Sequence, residues 1–208
     1  MQLTTRATGI RGRQAGMTML EVLITLVILA FGLLGLAGLH LKIQTLDMEA
    51  YQRAQAILLL RDMVERIKAN SANAADYVPV SASTMYGTVD PATDTLQDCA
   101  DVATFDTQAK RDICEWSNAL KGASESSSGT KVGAMIDGRG CVQQIQAEDA
   151  SAGVCTPGIY RVTVAWQGLF ATVAPSLGCG TGQYGSPVND ALRRAISSDI
   201  VVGLPSCL

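Results

Sequence analysis

Hydrophobic and polar residues are distributed very unevenly along the chain. The eighteen residues from Val22 to Leu39 contain no charged side chain. A helix of that length is roughly 27 Å long, close to the roughly 30 Å hydrocarbon core of a bilayer. The pattern therefore predicts a membrane-spanning helix near the N-terminus, with one carboxylate, Glu21, at its start.

The pattern changes after this run, but no helix-breaking residue separates the two parts. From Lys42 to Lys68 apolar residues recur at spacings of three and four, which is the periodicity of an amphipathic helix. We therefore predict one continuous helix from Met17 to about Ala69. Its second half should bury a face formed by Ile43, Leu46, Ala50, Ala54, Ile57, Val64 and Ile67. Leu60 or Arg61 fills the gap in this series between Ile57 and Val64.

The rest of the chain predicts a polar connection over residues 71–105, one short helix, and then a sheet. Asp106 or Thr107 can cap the short helix, which should end at Lys121-Gly122. Alternating residues predict a strand over 159–166, the segment 139–146 has the length of a strand, and a last strand is expected over 193–202. These elements predict an α+β protein in which the amphipathic second half of the long helix packs on a small antiparallel sheet.

Charge indicates how the chain is oriented in the membrane. The first sixteen residues hold three of the 16 basic residues and no acidic one. The remaining chain has 13 basic and 19 acidic residues, a net charge of −6. Because positive segments stay on the cytoplasmic side, the large C-terminal body should lie outside the cytoplasm. An acidic body also argues against general nucleic-acid binding, which requires a basic patch.

Six cysteines all follow the long helix, which predicts structural disulfides in an oxidising compartment. The sequence has no C-x-x-C motif and one histidine, His40, so a zinc site is not expected. Fifteen pairings are possible, and we expect the local ones, which would close the C-terminal region: Cys99–Cys114, Cys141–Cys155 and Cys179–Cys207.

Catalytic and cofactor motifs are missing from the sequence. There is no G-x-S-x-G, no H-E-x-x-H and no Walker loop, so we expect neither an enzyme nor a cofactor. Four aspartates in the polar connection could in principle bind calcium, but no D-x-D-x-D-G loop is present and a solvated loop is the preferred interpretation: Asp90, Asp94, Asp98 and Asp101.

A secretory signal peptide and an ordinary membrane anchor both account for an apolar segment, but neither accounts for Glu21. A basic leader, Gly16, then Met17-Thr-Met-Leu-Glu21 and an apolar run resemble the N-terminal signal of type IV prepilins. The resemblance implies the pilin fold and cleavage between Gly16 and Met17 by a prepilin peptidase, which also N-methylates Met17. It further implies that Glu21 pairs with the free N-terminus of an adjacent subunit during assembly.

The resemblance also implies four segments. These are a cleaved leader (1–16), an apolar transmembrane and filament-core helix (17–41), the amphipathic half of that helix (42–69) and a periplasmic globular head (70–208). The chain should therefore reside in the inner membrane before assembly and in the extracellular pilus afterwards.

Features of the C-terminal half make the resemblance specific to one type of pilin. The Cys114-Glu-Trp helix and the strand Tyr160-Arg-Val-Thr-Val-Ala-Trp-Gln167 are similar to those of minor pilins of the PilV type, the type IV pilus modification proteins. The implied function is a low-abundance subunit of an initiation or tip complex with other minor pilins and the major pilin, supporting adhesion and twitching motility. The alternative is a pseudopilin of a type II secretion system, which uses the same signal and helix.

Overall fold

The computed structural model describes residues 16–81, 84–88, 95–122, 126–127, 130–131, 135–151, 154–184 and 190–204. The chain divides into two compact units, Met1–Gln44 and Thr45–Leu208. Helix α1, Met19–Ala69, contributes residues to both units. Met17 and Thr18 precede it, so the helix begins two residues later than the sequence predicts.

Within the first unit, every described residue of α1 is exposed, and most of them are apolar. Among the described residues, α1 is the one helix that is long and apolar enough to cross a membrane. A helix that is apolar on all sides and exposed among the described residues is typical of a helix that lies in an apolar environment such as a membrane.

The second unit contains the other elements. After α1 come a 3-10 helix at Ser71–Tyr77 and a helix α2 at Gln108–Leu120. The strands are β1 Tyr86–Gly87, β2 Ser126–Ser127, β3 Thr130–Lys131, β4 Arg139–Gln146, β5 Gly158–Gln167 and β6 Arg193–Val202. The fully antiparallel order β1-β4-β5-β6 confirms the predicted α+β class with a small antiparallel sheet. The predicted connection over 71–105 is more structured than expected, because it includes the 3-10 helix and β1.

The buried face of α1 differs from the predicted one. The helix buries Gln52, Ala56, Leu60, Met63, Val64 and Ile67, whereas Ile43, Leu46, Ala50 and Ala54 are exposed. Residues 56–60 are all apolar, so the periodicity there does not define one face. The first buried residue of the helix, Gln52, is polar, so hydrophobicity does not indicate where the buried face begins.

One face of the sheet forms the main hydrophobic core with the two helices. Val142, Val162 and Val164 pack in one cluster with Ala56, Met63, Trp116 and Ile200. The Trp116 ring lies against Gly140, where an added Cβ would overlap it. The indole Nε1 of Trp116 donates a 2.8 Å hydrogen bond to the Leu59 carbonyl, which ties α2 to α1.

A polar cluster joins the C-terminal end of α1 to α2. Arg66 donates to Asp112 at 3.0 Å and to Glu115 at 2.7 Å, and the Tyr77 hydroxyl donates a short hydrogen bond to Asp112. Burial opposes the charge of Arg66, but hydrogen bonds to Glu115 and Asp62 raise its pKa above the usual value. Burial, with the adjacent Asp112, raises the pKa of Tyr77 to about 12. The cluster therefore extends the pH range over which Tyr77 stays protonated, to above its ordinary value of about 10.

The disulfides differ from the expected set. Cys99 is bonded to Cys114, with a Cα–Cα distance of 5.7 Å. Cys141 is bonded to Cys179 at 5.9 Å, so the expected pairs Cys141–Cys155 and Cys179–Cys207 are wrong. Cys155 is also disulfide-bonded, whereas Cys207 lies outside the described residues.

Strand geometry explains why Cys141 is not bonded to Cys155. Cys141 is the third residue of β4, whereas Cys155 lies beyond the other end of that strand, in the connection to β5. Five residues of strand, roughly 16 Å, separate Cys141 from Gln146. A disulfide requires Cα atoms within about 7 Å. The loop after β5 instead returns over the second face of the sheet, where Cys141 and Cys179 are buried with Ala165 and Tyr184.

Candidate processing and assembly site

The first turn of α1 positions Glu21. Thr18 precedes the helix, and its hydroxyl accepts a 3.3 Å hydrogen bond from the Glu21 backbone N–H. The Thr18 carbonyl accepts from the same N–H at 3.0 Å and from the Val22 N–H at 3.3 Å. Thr18 is thus the N-cap of α1, an arrangement that typically contributes about 0.5–2 kcal/mol of helix stability.

Glu21 occupies the third helical position and is exposed. A carboxylate in the first turn interacts favourably with the helix dipole, by about 0.3–1 kcal/mol at an exposed site. Its exposure leaves the carboxylate accessible to a cationic group of another molecule. The sequence therefore places one fixed negative charge at the beginning of an otherwise uncharged helical surface.

Gly16 and Met17 lie just before the cap, in extended or irregular backbone that is exposed to solvent. A Cβ built at Gly16 would meet no heavy atom within 4 Å. Nothing in the surrounding described structure requires glycine at this position. The Gly16–Met17 peptide bond is exposed and is therefore accessible to another molecule.

The glycines inside the apolar half of α1 show the same property. Added Cβ atoms at Gly32, Gly35 and Gly38 would also meet nothing within 4 Å. The helix continues through all three, so they do not interrupt it in this structure. They leave shallow depressions on an exposed apolar surface, and small residues of this kind allow close approach of a second helix.

Thr18 positions Glu21 by capping the helix, a role that the sequence analysis missed. Its signal is present as Thr18-x-x-Glu21, the spacing of a capping box directly before an apolar run. No group of three or more potential ligands that could hold a metal ion occurs among the described residues. The site therefore consists of an exposed peptide bond, a capped helix start and one carboxylate.

This geometry fits a chain that is anchored in a membrane by its apolar helix and whose N-terminal segment is exposed. Two family models match it. The prokaryotic N-terminal methylation motif matches residues 11–37, which include Gly16, Met17 and Glu21. The family described as type IV pilin Tt1218 matches residues 42–114, from the second half of α1 through the first half of α2.

The two matches are adjacent and do not overlap. Comparison with curated proteins and with solved structures gives no match. The matched segments support the type IV prepilin family, and with it a structural pilin role. They also fit membrane anchoring by the apolar helix before pilus assembly and processing by a prepilin peptidase.

Proposed function

We propose that this chain is a minor pilin of the PilV type that enters type IV pilus filaments in low amount. The observation that carries the proposal is the exposed Gly16–Met17 bond directly before a capped helix that presents Glu21 and then only uncharged residues as far as Leu39. The methylation-motif match over this segment supports the same assignment. The cysteine-rich C-terminal body and the Tyr160–Gln167 strand favour a minor pilin.

Processing at Gly16 would create the partner for Glu21. Cleavage leaves a positive amine on Met17, with or without a methyl group. A carboxylate carried unpaired to the membrane centre costs about 2.5–3.5 kcal/mol, and pairing with a cation reduces this cost. The amine of one subunit and Glu21 of the next would therefore favour one axial register between two otherwise apolar helices.

Cleavage is tested by intact-mass and N-terminal analysis of protein extracted from membranes. We expect a 192-residue chain that begins at N-methyl-Met17, since sixteen residues are removed from 208. Cleavage after the apolar run, near Gly38, would instead indicate a conventional signal peptide. An uncleaved chain would indicate a plain anchor, and either result would contradict the proposal.

Assembly is tested with Glu21→Ala, using Glu65→Ala as the matched control. Glu65 is another exposed glutamate of α1, and its partner is Lys68 on the same helix. We expect the Glu21 variant to be processed but to be lost from sheared pili and from complexes with other minor pilins. The Glu65 variant should be incorporated normally. Normal incorporation of both variants would remove Glu21 from the assembly mechanism.

The alternative, a pseudopilin of a type II secretion system, makes a different prediction for the same cells. Deletion of the chain should then abolish export of secreted enzymes and leave pilus number and twitching unchanged. Under our proposal, deletion reduces piliation, adhesion or twitching and leaves secretion intact. Recovery of the native chain in sheared pili, where it should be far less abundant than the major pilin, supports the pilus role directly.

A further inference from the structure

The antiparallel sheet of the second unit has two edges, and they differ in length. At one edge lies β1, which has two residues and contains Gly87 at a φ of +93°, outside the conformation of a regular strand. At the other edge lies β6, which has ten residues and pairs with β5 without a register shift. Because β6 is last in the strand order, no described strand lies on its outer side. The long, regular edge of the sheet is therefore the open one.

The register shows which backbone groups of β6 point away from β5. The Gly168 N–H donates a 2.7 Å hydrogen bond to the Leu192 carbonyl, one pair beyond the end of the ladder between the two strands. Because bonded and outward-facing residues alternate along an antiparallel strand, the even-numbered residues of β6 bond to β5. Among the described residues, none bonds to the N–H and C=O groups that face outward. These groups belong to Ala195, Ser197, Asp199 and Val201.

β6 lacks the features that usually protect an exposed edge. Such edges are blocked by short strands, prolines, bulges or lysines, and β6 contains neither proline nor lysine. Its two arginines, Arg193 and Arg194, bond to carbonyl groups of the loop after β5. Asp199 is held by Arg161 of β5 at 2.7 and 2.8 Å, so its charge is compensated on the side away from the edge. The outer edge of β6 is therefore open to pairing with a further strand.

The chemistry of this edge selects an extended polypeptide. The outward donors and acceptors recur every second residue, at a spacing of about 6.8 Å. Another extended backbone presents acceptors and donors at the same repeat, whereas an α-helix uses its own within the helix. The side chains of Ala195, Ser197 and Val201 are uncharged. Since Asp199 is already paired, a charged segment would find no free counter-charge among the outward-facing residues.

We propose that β6 binds an extended, uncharged segment from the head of a different subunit, which joins the four-stranded sheet as a fifth strand. The inference rests on the proposed function for the identity of the partner as another pilin subunit. The geometry of the edge lies entirely within the second unit. A chain that enters filaments in low amount meets other subunits more often than its own copies, so the partner is a different subunit and not a second copy.

The test compares Ser197→Pro with Ser197→Ala. Both variants lack the exposed hydroxyl, but only proline removes the outward N–H, and proline is tolerated where the N–H of an edge strand points away from the sheet. The unfolding midpoint in micelles and peptide mapping of the Cys141–Cys179 bond verify that both variants fold. We expect the proline variant to be processed at Gly16 but to be depleted from sheared pili about fivefold relative to the alanine variant, as for the loss of one backbone hydrogen bond.

A second pair of variants leaves the backbone unchanged. Val201→Lys places a charge beside the open edge, and Val173→Lys is the control, because Val173 is an exposed valine in the loop after β5. A lysine beside an edge opposes the addition of a strand. We expect the Val201 variant to be depleted from sheared pili and the Val173 variant to be incorporated like the unsubstituted chain. Equal incorporation within either pair would overturn the inference.

The unsubstituted chain separates these results from a failure of the proposed function. Its absence from sheared pili would overturn the proposed function and, with it, the assignment of the partner. Its presence together with undiminished Ser197→Pro would overturn only the inference. Light scattering of the purified chain in micelles tests the other occupant. A dimer that dissociates in Ser197→Pro would show that a second copy covers β6, which would overturn the assignment to a different subunit.

Discussion

The two halves of α1 share one backbone conformation but differ in what surrounds them. Residues 19–44 are exposed throughout, whereas the half from Thr45 buries Ala56, Met63 and Ile67 completely. Glycines show the same contrast, since Gly35 has empty space around it while Gly140 of the head is packed against Trp116. The first half therefore has no packing partner among the described residues, whereas the second half is packed against the rest of its unit.

The largest effect should come from Gly16. Gly16→Trp places a large side chain beside the scissile bond, and we expect complete retention of the 208-residue precursor in the membrane with an unchanged fold of the head. Mass spectrometry of membrane extracts measures the retained sixteen residues. Gly38→Ala, in the same exposed half, should be processed normally. Efficient cleavage of the Gly16 variant would show that this glycine is not needed by a peptidase.

Loss of a disulfide should destabilise the second unit without affecting processing. The entropy of the unfolded chain predicts that the free energy of unfolding falls by about 4 kcal/mol in the double variant Cys141→Ser/Cys179→Ser. The double variant Cys99→Ser/Cys114→Ser should lose about 3 kcal/mol, because its disulfide closes a shorter loop. Denaturant unfolding of the full chain in micelles measures both. Non-reducing peptide maps of the native chain should join Cys155 to Cys207, the cysteine left by elimination. A map showing Cys141–Cys155 would contradict the structure.

Gly140→Ala and Gly35→Ala test the contrast between glycines directly. A Cβ at Gly140 would lie 2.8 Å from Leu120 Cδ1 and would overlap the Trp116 ring, and overpacking of this kind costs about 1–3 kcal/mol. The added methyl at Gly35 meets nothing, so the unfolding midpoint of the head should not change. Equal effects at the two positions would show that the two halves are not distinguished by internal packing.

Gln52→Met should increase stability. Both polar side-chain atoms of Gln52 are buried without a hydrogen-bond partner in the described structure. Removing an unsatisfied amide while keeping the side-chain volume is expected to gain about 1–3 kcal/mol. Gln44→Met, in the exposed half, should leave the unfolding free energy of the head unchanged. A loss of stability at position 52 would reveal a bound water or another partner of the amide.

The smallest effect concerns alkaline pH. The pKa of Tyr77 is raised to about 12 in the folded chain, above its value of about 10 in unfolded chains. Between these values the unfolded chain releases a proton that the native chain keeps, so stability is present below about pH 10 and is lost as the pH rises toward 12. In Tyr77→Phe the free energy of unfolding, measured with urea, should decline less between about pH 10 and about pH 12 than in the unsubstituted chain. Identical declines would exclude Tyr77 as the source.

Local signals in the sequence were sufficient to predict α2 and the three long strands β4, β5 and β6. Thr107 caps α2 with a 3.3 Å bond from Lys110, and α2 ends at Leu120, directly before Lys121-Gly122. The observed bounds of β4 and β6 match the predicted ranges, and β5 extends its range by one residue at each end. Caps and alternation depend on near neighbours only, so they can be read without the tertiary structure.

Features that depend on distant segments could not be read in this way. The Cys141–Cys179 bond depends on the loop after β5 returning across the sheet, which no local spacing records. β1 forms only because Tyr86 and Gly87 reach the edge of β4. At the candidate site the positions Gly16, Met17 and Glu21 could be named from the order of residues in the sequence. The capping role of Thr18 also had a local signal, Thr18-x-x-Glu21, which the sequence analysis did not use.

The attachment of α1 to the head has a mechanical consequence. Polar contacts between described residues fasten the helix within the second unit at Glu49, which accepts from the Leu169 N–H, at the Leu59 carbonyl and at Arg66. They are spaced by about 15 Å and about 10 Å along the axis. A pulling force directed along the helix would load all three in shear at once instead of peeling them one after another. Detachment would then require simultaneous rupture, so we expect the head to withstand axial tension better than a sideways pull.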